Sequence, residues 1–267
     1  MRILVAPPTL AFGGSQMNAI ELGAAVRDLG HEVTVVAEPG PLGERIAQLR
    51  LPFVPLRPTA GPGPSWSAIA AVGRLARERR IDLVHAYESA KCIEATVGAR
   101  PLAWVPVLTS IMSMTVPDRF PAALPLVLGT RQMADDARAA RGGRGGTVAL
   151  LEPPIDTREF HPGVDGSAFR REHDLEGCTL LVIVSRLSAE MKPEGVARSI
   201  DAVALLPPAD PPVRLAIVGG GNAYERLQEQ AAEVNARLGR RAVVLTGPLL
   251  DPGPAYAAAD VVIGMGG

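Results

Sequence analysis

Arg186 and Lys192 stand in the stretch Ser185-Arg186-Leu187-Ser188-Ala189-Glu190-Met191-Lys192, between an apolar run and an amphipathic one. If the run is a strand of a parallel sheet and the amphipathic part a helix, both cations gather outside the carboxyl end of the sheet, where such sheets bind ligands. A guanidinium and an ammonium there suit a diphosphate and oppose charge that grows on it as it departs. The plain alternative is a pair of solvated surface cations. Lysine is scarce in this chain, with 25 arginines against only Lys91 and Lys192, which makes Lys192 the more notable.

A second segment, Ala11-Phe12-Gly13-Gly14-Ser15-Gln16, follows the first apolar run. Gly13 and Gly14 at the start of a helix let an anionic group approach unpaired backbone N–H groups, although a plain strand-to-helix turn reads the same way. A third, Ile217-Val218-Gly219-Gly220-Gly221-Asn222, falls short of the dinucleotide fingerprint, because Tyr224 takes the place of the last glycine and the ribose-binding acid is missing. It is expected as a strand-to-helix turn near a nucleotide. His85, at the end of an apolar run, could orient a hydroxyl, and its plain reading is a structural histidine.

The elements that would position these residues follow from hydrophobic patterning. Short apolar runs alternate with amphipathic stretches, which predicts α/β units around parallel sheets. Strands are expected at Arg2–Ala6, Glu32–Ala37, Phe53–Leu56, Asp82–His85, Val105–Thr109, Leu126–Leu128 and Thr147–Leu151, then at Leu180–Val184, Val213–Val218, Ala242–Thr246 and Val261–Ile263. Ala19, Leu22, Val26 and Leu29 predict one apolar helix face ending at Gly30. Helices are also expected at about Glu194–Leu206 and Ala223–Leu238. Pro153, Pro154, Pro162 and Gly163 mark a linker, giving domains at 1–152 and 153–267. The chain stops just after its last strand, so a fragment with an incomplete second domain is expected.

Composition narrows the classes. A net charge of −1 gives no general pull toward nucleic acid, and Cys92 and Cys178 cannot build a disulfide framework. His31, His85, His161 and His173 show no metal-ligand spacing, and no Asp-x-Asp pair occurs, so no metal and no cofactor are expected. Pro7, Pro8, Gly13 and Gly14 interrupt the uncharged stretch Ile3–Ile20, so neither a spanning helix nor a signal segment is read there. A cytoplasmic protein is expected, with room for a peripheral membrane contact.

Taken in order, the segments resemble the retaining glycosyltransferases of family four, which have the GT-B fold of two Rossmann-like domains. Gly13-Gly14 matches the family's early glycine loop. Its hinge signature P-x-G-V-D-x-x-x-F-x-P resembles Pro153-Pro154-Ile155-Asp156-Thr157-Arg158-Glu159-Phe160-His161-Pro162, with proline where glycine is usual. Its G-R-L…K-G pair resembles Ser185-Arg186-Leu187 with Lys192, one residue longer. Val218 to Gly221, Leu245-Thr246-Gly247-Pro248-Leu249 and the run from Ala259 to Ile263 resemble later elements.

The resemblance implies a nucleotide-sugar donor on the second domain, an unidentified acceptor on the first, and metal-independent transfer with retention. Arg186 and Lys192 would clamp the donor diphosphate, Gly13 and Gly14 would close over it, and backbone around Gly219, Gly247 and Leu249 would face the base. The chain departs from the pattern at Thr109-Ser110-Ile111-Met112, where many members have a histidine, and the family's E-x7-E motif is expected to lie beyond Gly267. A nucleotide-sugar 2-epimerase of the same fold and a non-catalytic nucleotide-binding remnant are the competing readings.

Overall fold

The computed structural model describes residues 1–58, 63–112, 115–118, 120–189 and 193–264. They form two compact units that divide between Pro154 and Ile155. The first contains β1 (Arg2–Ala6), α1 (Gly14–Asp28), β2 (Glu32–Ala37), α2 (Gly43–Gln48), β3 (Phe53–Pro55), α3 (Trp66–Glu78), β4 (Leu83–Tyr87), α4 (Ser89–Ala103), β5 (Val107–Ile111), β6 (Leu126–Leu128), α5 (Arg131–Arg141) and β7 (Val148–Leu150). The second contains α6 (Ser167–Glu172), β8 (Thr179–Val184), α7 (Pro193–Val203), β9 (Val213–Val218), α8 (Tyr224–Leu238), β10 (Val243–Gly247), α9 (Gly253–Ala258) and β11 (Val261–Val262).

Every strand pairing is parallel. The first sheet runs β3-β2-β1-β4-β5-β6-β7 and the second β10-β9-β8-β11. Strand order therefore reverses between β1 and β4 in the first unit and between β8 and β11 in the second, the places where open α/β sheets form a crevice. On β9, Leu215 and Ile217 face a core with Val196, Ile200, Leu227 and Val234, while Ala216 and Val218 face another with Phe169, Leu175 and Ala255. Burial on both faces is why these strands read as continuous apolar runs. In the first unit Leu4, Ala6, Val84 and Ala86 pack under α3, α4 and α5.

Three expectations need correction. Along α1, Ala19 is buried as expected, but Leu22 and Val26 are half-buried and Leu29 is 79% exposed. The buried stripe is Ala19, Ile20, Gly23 and Ala24, because the helix lies close on the sheet: a Cβ at Gly23 would meet Val33 and Val5 at 3.5 and 3.6 Å. The fourth strand begins at Leu83, since the Asp82 carboxylate accepts the Arg2 backbone N–H at 2.7 Å and pairs with its guanidinium at 3.2 Å. The fifth begins at Val107 because α4 runs on through Pro101, which stands in its last turn where few bonds are lost.

α3 and α4 cross closely at Gly98, where an added Cβ would press into the Ile69 carbonyl oxygen and lie 3.3 Å from the Gly73 nitrogen. Backbone cannot yield there as a flexible side chain would. Gly98→Ala is expected to destabilise the first unit by about 1–3 kcal/mol, whereas Gly43→Ala, with open space around it, should be neutral or slightly stabilising. Urea midpoints of the two variants check the contrast.

Candidate functional site

Residues singled out from the sequence fall into two clusters, one at the carboxyl edge of each sheet. In the first unit Gly13 is the N-cap of α1 and Gly14 its first residue. Gly13 has φ 176, extended backbone that any residue adopts, and a Cβ at Gly14 would meet nothing within 4 Å. A Cβ at Gly13 would press on the movable end of the Gln16 side chain, which lies over it, so the open backbone of this turn is at Gly14.

That turn faces a carboxylate which sequence reasoning missed. Glu88, directly after β4, accepts the Ser15 hydroxyl at 2.7 Å and the Met112 backbone N–H at 3.2 Å, both on Oε1. One oxygen thus ties the start of α1 to the end of β5 across the point where the sheet order reverses. The backbone of Glu88 is strained, at φ 62 and ψ 155, a region costing of order 1–3 kcal/mol for a residue with a side chain. No spacing in the sequence announces such a conformation, and an acid after a strand is commonplace.

His85, within β4 and three residues before Glu88, is 7% exposed, with Nε2 2.7 Å from the Ser110 hydroxyl and its ring centroid 4.4 Å from that of Tyr87. Burial lowers its pKa from 6.5 to about 4, so the imidazole is neutral at pH 7. The Nε2 that would meet an acceptor hydroxyl is engaged by Ser110, which is the structural role weighed for a strand-end histidine. The Tyr87 hydroxyl and Asn18 Oδ1 are buried with no hydrogen-bond partner among the described residues, and burial also raises the Tyr87 pKa. Lys91 is accounted for structurally: its ammonium is buried 2.9 Å from Glu94 and 3.9 Å from Glu38, and Glu94 also accepts the Ser65 N–H.

In the second unit two strand-to-helix loops are joined through their backbones. Ser185 N–H donates to the Val218 carbonyl, Leu187 N–H to Gly220, and Ala223 N–H to Leu187, at 2.9–3.0 Å. The Ala189 N–H donates to Asn222 Oδ1 at 2.7 Å. Gly219 and Gly221 have φ 154 and 148, and a Cβ on either would run into the carbonyl oxygen of Ser185 or Leu187. Glycine is required here by close approach of the two loops.

This junction holds the turn after β8 in place, with Leu187 buried beneath it and Arg186 exposed. Gly247 ends β10 at φ 83, and its carbonyl accepts the Gly219 N–H at 2.9 Å. Leu249 directs its side chain into the second unit's core, leaving its backbone as the part a ligand could meet. Lys192 lies outside the described residues, so the cation pair is seen only at Arg186. Among the described residues no group of three or more His, Cys, Asp or Glu could hold a metal ion, and no helix is long and apolar enough to cross a membrane.

Comparison with known proteins follows this division. Residues 12–126 match the model of Glycosyltransferase Family 4. That stretch contains Gly13, Gly14, His85 and Glu88, while Arg186, Gly219, Gly247 and Leu249 lie beyond it. Among solved structures, HepE from Anabaena in complex with UDP-glucose aligns at TM-score 0.76 and 20% identity, over 98% of this chain and 73% of that one. The fold is that of the GT-B glycosyltransferases. A glycosyltransferase from Rickettsia africae aligns at 0.74 and 14% identity over 98% and 72% of the two chains. A UDP-N-acetylglucosamine 2-epimerase described as such from Listeria monocytogenes aligns at 0.60 and 15% identity, over 98% and 73%. No curated protein matches the chain in sequence. Family match and fold together support glycosyl transfer as the class of chemistry.

The buried imidazole makes a pH prediction. Its folded pKa of about 4 lies below the ordinary 6.5, so between these values the unfolded chain binds more protons and stability must rise with pH. The contribution is fully present above about pH 6.5 and is lost as pH falls through 4, amounting to at most about 3 kcal/mol. Chemical denaturation from pH 7 to 4 should show this slope in the natural chain and a flatter one in His85→Gln.

Proposed function

We propose that the chain transfers a sugar from a nucleotide-sugar donor to an acceptor hydroxyl, with retention and without a metal, in the cytoplasm. The observation that carries this reading is the junction of the Ser185–Ala189 and Val218–Ala223 loops, which presents Arg186 to solvent at the reversal point of the second sheet. The family match over residues 12–126 and the likeness to HepE, whose structures contain UDP and UDP-glucose, support it.

In this reading Arg186 and Lys192 bind the donor diphosphate and oppose the charge that grows on it as the glycosidic bond breaks. Backbone at Gly219, Gly247 and Leu249 flanks the base. Gly13 and Gly14 serve the donor from the first unit's crevice, and the acceptor lies with that same unit, near His85. The departing diphosphate takes the proton of the attacking hydroxyl, so no protein nucleophile is required. The Glu88 carboxylate against the first turn of α1 sharpens the division of labour. Its negative charge suits a hydroxyl-bearing acceptor better than a second diphosphate contact.

Arg186→Ala and Lys192→Ala are each expected to lower turnover about ten- to a hundredfold, at about 1.4 kcal/mol per factor of ten, with melting unchanged. Release of nucleoside diphosphate from UDP-sugars with a panel of acceptors is the assay, and full turnover in both folded variants would remove the clamp assignment. The same assay should survive EDTA, since two cations already face the phosphates. Accumulation of an epimeric nucleotide sugar without any acceptor would replace transfer by 2-epimerisation.

A further inference from the structure

The chain's two tryptophans, Trp66 and Trp104, are among its most exposed large apolar residues, at 81% and 89%. Both belong to one layer of the first unit: Trp66 opens α3 and Trp104 caps α4, and the two helices pack side by side on the same face of the sheet. Their outer stripes follow from helical spacing. On α4 the stripe is the half-buried Ile93 and the exposed Val97, Arg100 and Trp104, away from the buried Cys92, Ala95 and Ala99. On α3 it is Trp66, Ala70, Arg74 and Arg77, opposite the buried Val72, Leu75 and Ala76.

Charge on this layer is one-sided although the whole chain stands at −1. Arg74, Arg77 and Arg100 are exposed on the helices, and Arg79 and Arg80 follow α3, with Arg79 donating to the Thr34 hydroxyl at 3.3 Å; Glu78 is the exposed acid of the two helices and is ion-paired to Arg74 at 3.0 Å. Lys91 and Glu94 neutralise each other in the interior. Beside α3 a cleft of about 350 Å³ opens against β3, with Arg57 and Arg74 among its walls.

We propose that the outer face of α3 and α4 docks on an anionic lipid bilayer, with Trp66 and Trp104 at the headgroup level and the arginines against lipid phosphates. Tryptophan is the side chain that gains most at a membrane–water interface, and each arginine near an anionic leaflet adds attraction. A nucleic-acid partner would use the arginines, yet it has no use for Ile93 and Val97 between them. A second copy of this chain would bring the same excess of exposed arginine against itself, a repulsive match. The proposal stands apart from glycosyl transfer and can fail or hold without it.

Because the two tryptophans are the chain's only ones, their emission reports this face alone. The intact chain is titrated with vesicles of phosphatidylcholine, and with vesicles of equal parts phosphatidylcholine and phosphatidylglycerol. Expected are a blue shift and quenching by bromolipid with the anionic vesicles, with partitioning at least roughly tenfold weaker on neutral ones or in high salt. Arg77→Glu with Arg100→Glu, both at exposed positions, should cut co-sedimentation with anionic vesicles by about tenfold or more while leaving thermal melting unchanged. Trp66→Phe and Trp104→Phe singly leave one reporter each, and both should still shift. Equal partitioning on the two vesicle types, or no change in emission, overturns the proposal. So does the same shift with soluble RNA or polyphosphate, or a shift that follows protein concentration without lipid.

Discussion

Reversal of strand order is the constraint on which both candidate clusters depend. β1 feeds α1 toward one face of its sheet and β4 feeds α4 toward the other, so the loops leaving these adjacent strands diverge and open a crevice at their carboxyl ends. Gly13, Gly14, Ser15 and Glu88 all stand at that opening. Strand order also reverses between β8 and β11 in the second unit, where Ser185 and Arg186 follow β8. Parallel pairing is what makes this possible, because each strand must return by a crossover that lands on one face or the other.

The two edges differ in how they are held and in their charge. In the second unit the fixing is largely by backbone: the glycine-bearing loop after β9 clasps the turn after β8, and the Asn222 side chain adds a bond from the Ala189 N–H. Arg186 is therefore presented, exposed, from a turn braced by hydrogen bonds. In the first unit the fixing is by one carboxylate oxygen, and a negative charge ends up against the positive end of α1. A helix start already facing a carboxylate is a poorer site for a phosphate than its glycines alone imply. That asymmetry supports the proposed division, with the donor on the second unit and the acceptor on the first.

Much of the fold was legible because buried parallel strands carry an unambiguous signal. Arg2–Ala6, Glu32–Ala37, Leu126–Leu128 and Val213–Val218 run as the patterning predicts. Boundaries slipped where a single side chain intervened, as when Asp82 took the Arg2 N–H that a longer strand would have used. The buried face of α1 escaped because its contacts are small residues, and Leu29 carried the periodicity without the burial. Lysine scarcity drew attention to Lys192, yet the same scarcity applies to Lys91, which is neutralised in the interior by Glu94 and Glu38. Rarity marks a residue as constrained. It does not say whether folding or chemistry is the constraint.

Glu88 shows why the remainder could not be read. Its conformation lies where a side chain costs of order 1–3 kcal/mol, and a sequence holds no record of a torsion. The backbone stays there because it is over-determined: its N–H donates to the Ser110 carbonyl at 2.8 Å, its own carbonyl accepts the Cys92 N–H at 2.9 Å, and its carboxylate oxygen holds Ser15 and Met112. Glycine would relieve the strain but would lose both side-chain bonds, and with them the link between α1 and the end of β5. A residue retained against its own backbone preference is one whose side chain has work at that spot. Here the work is to fix three loops around the opening where the first sheet turns.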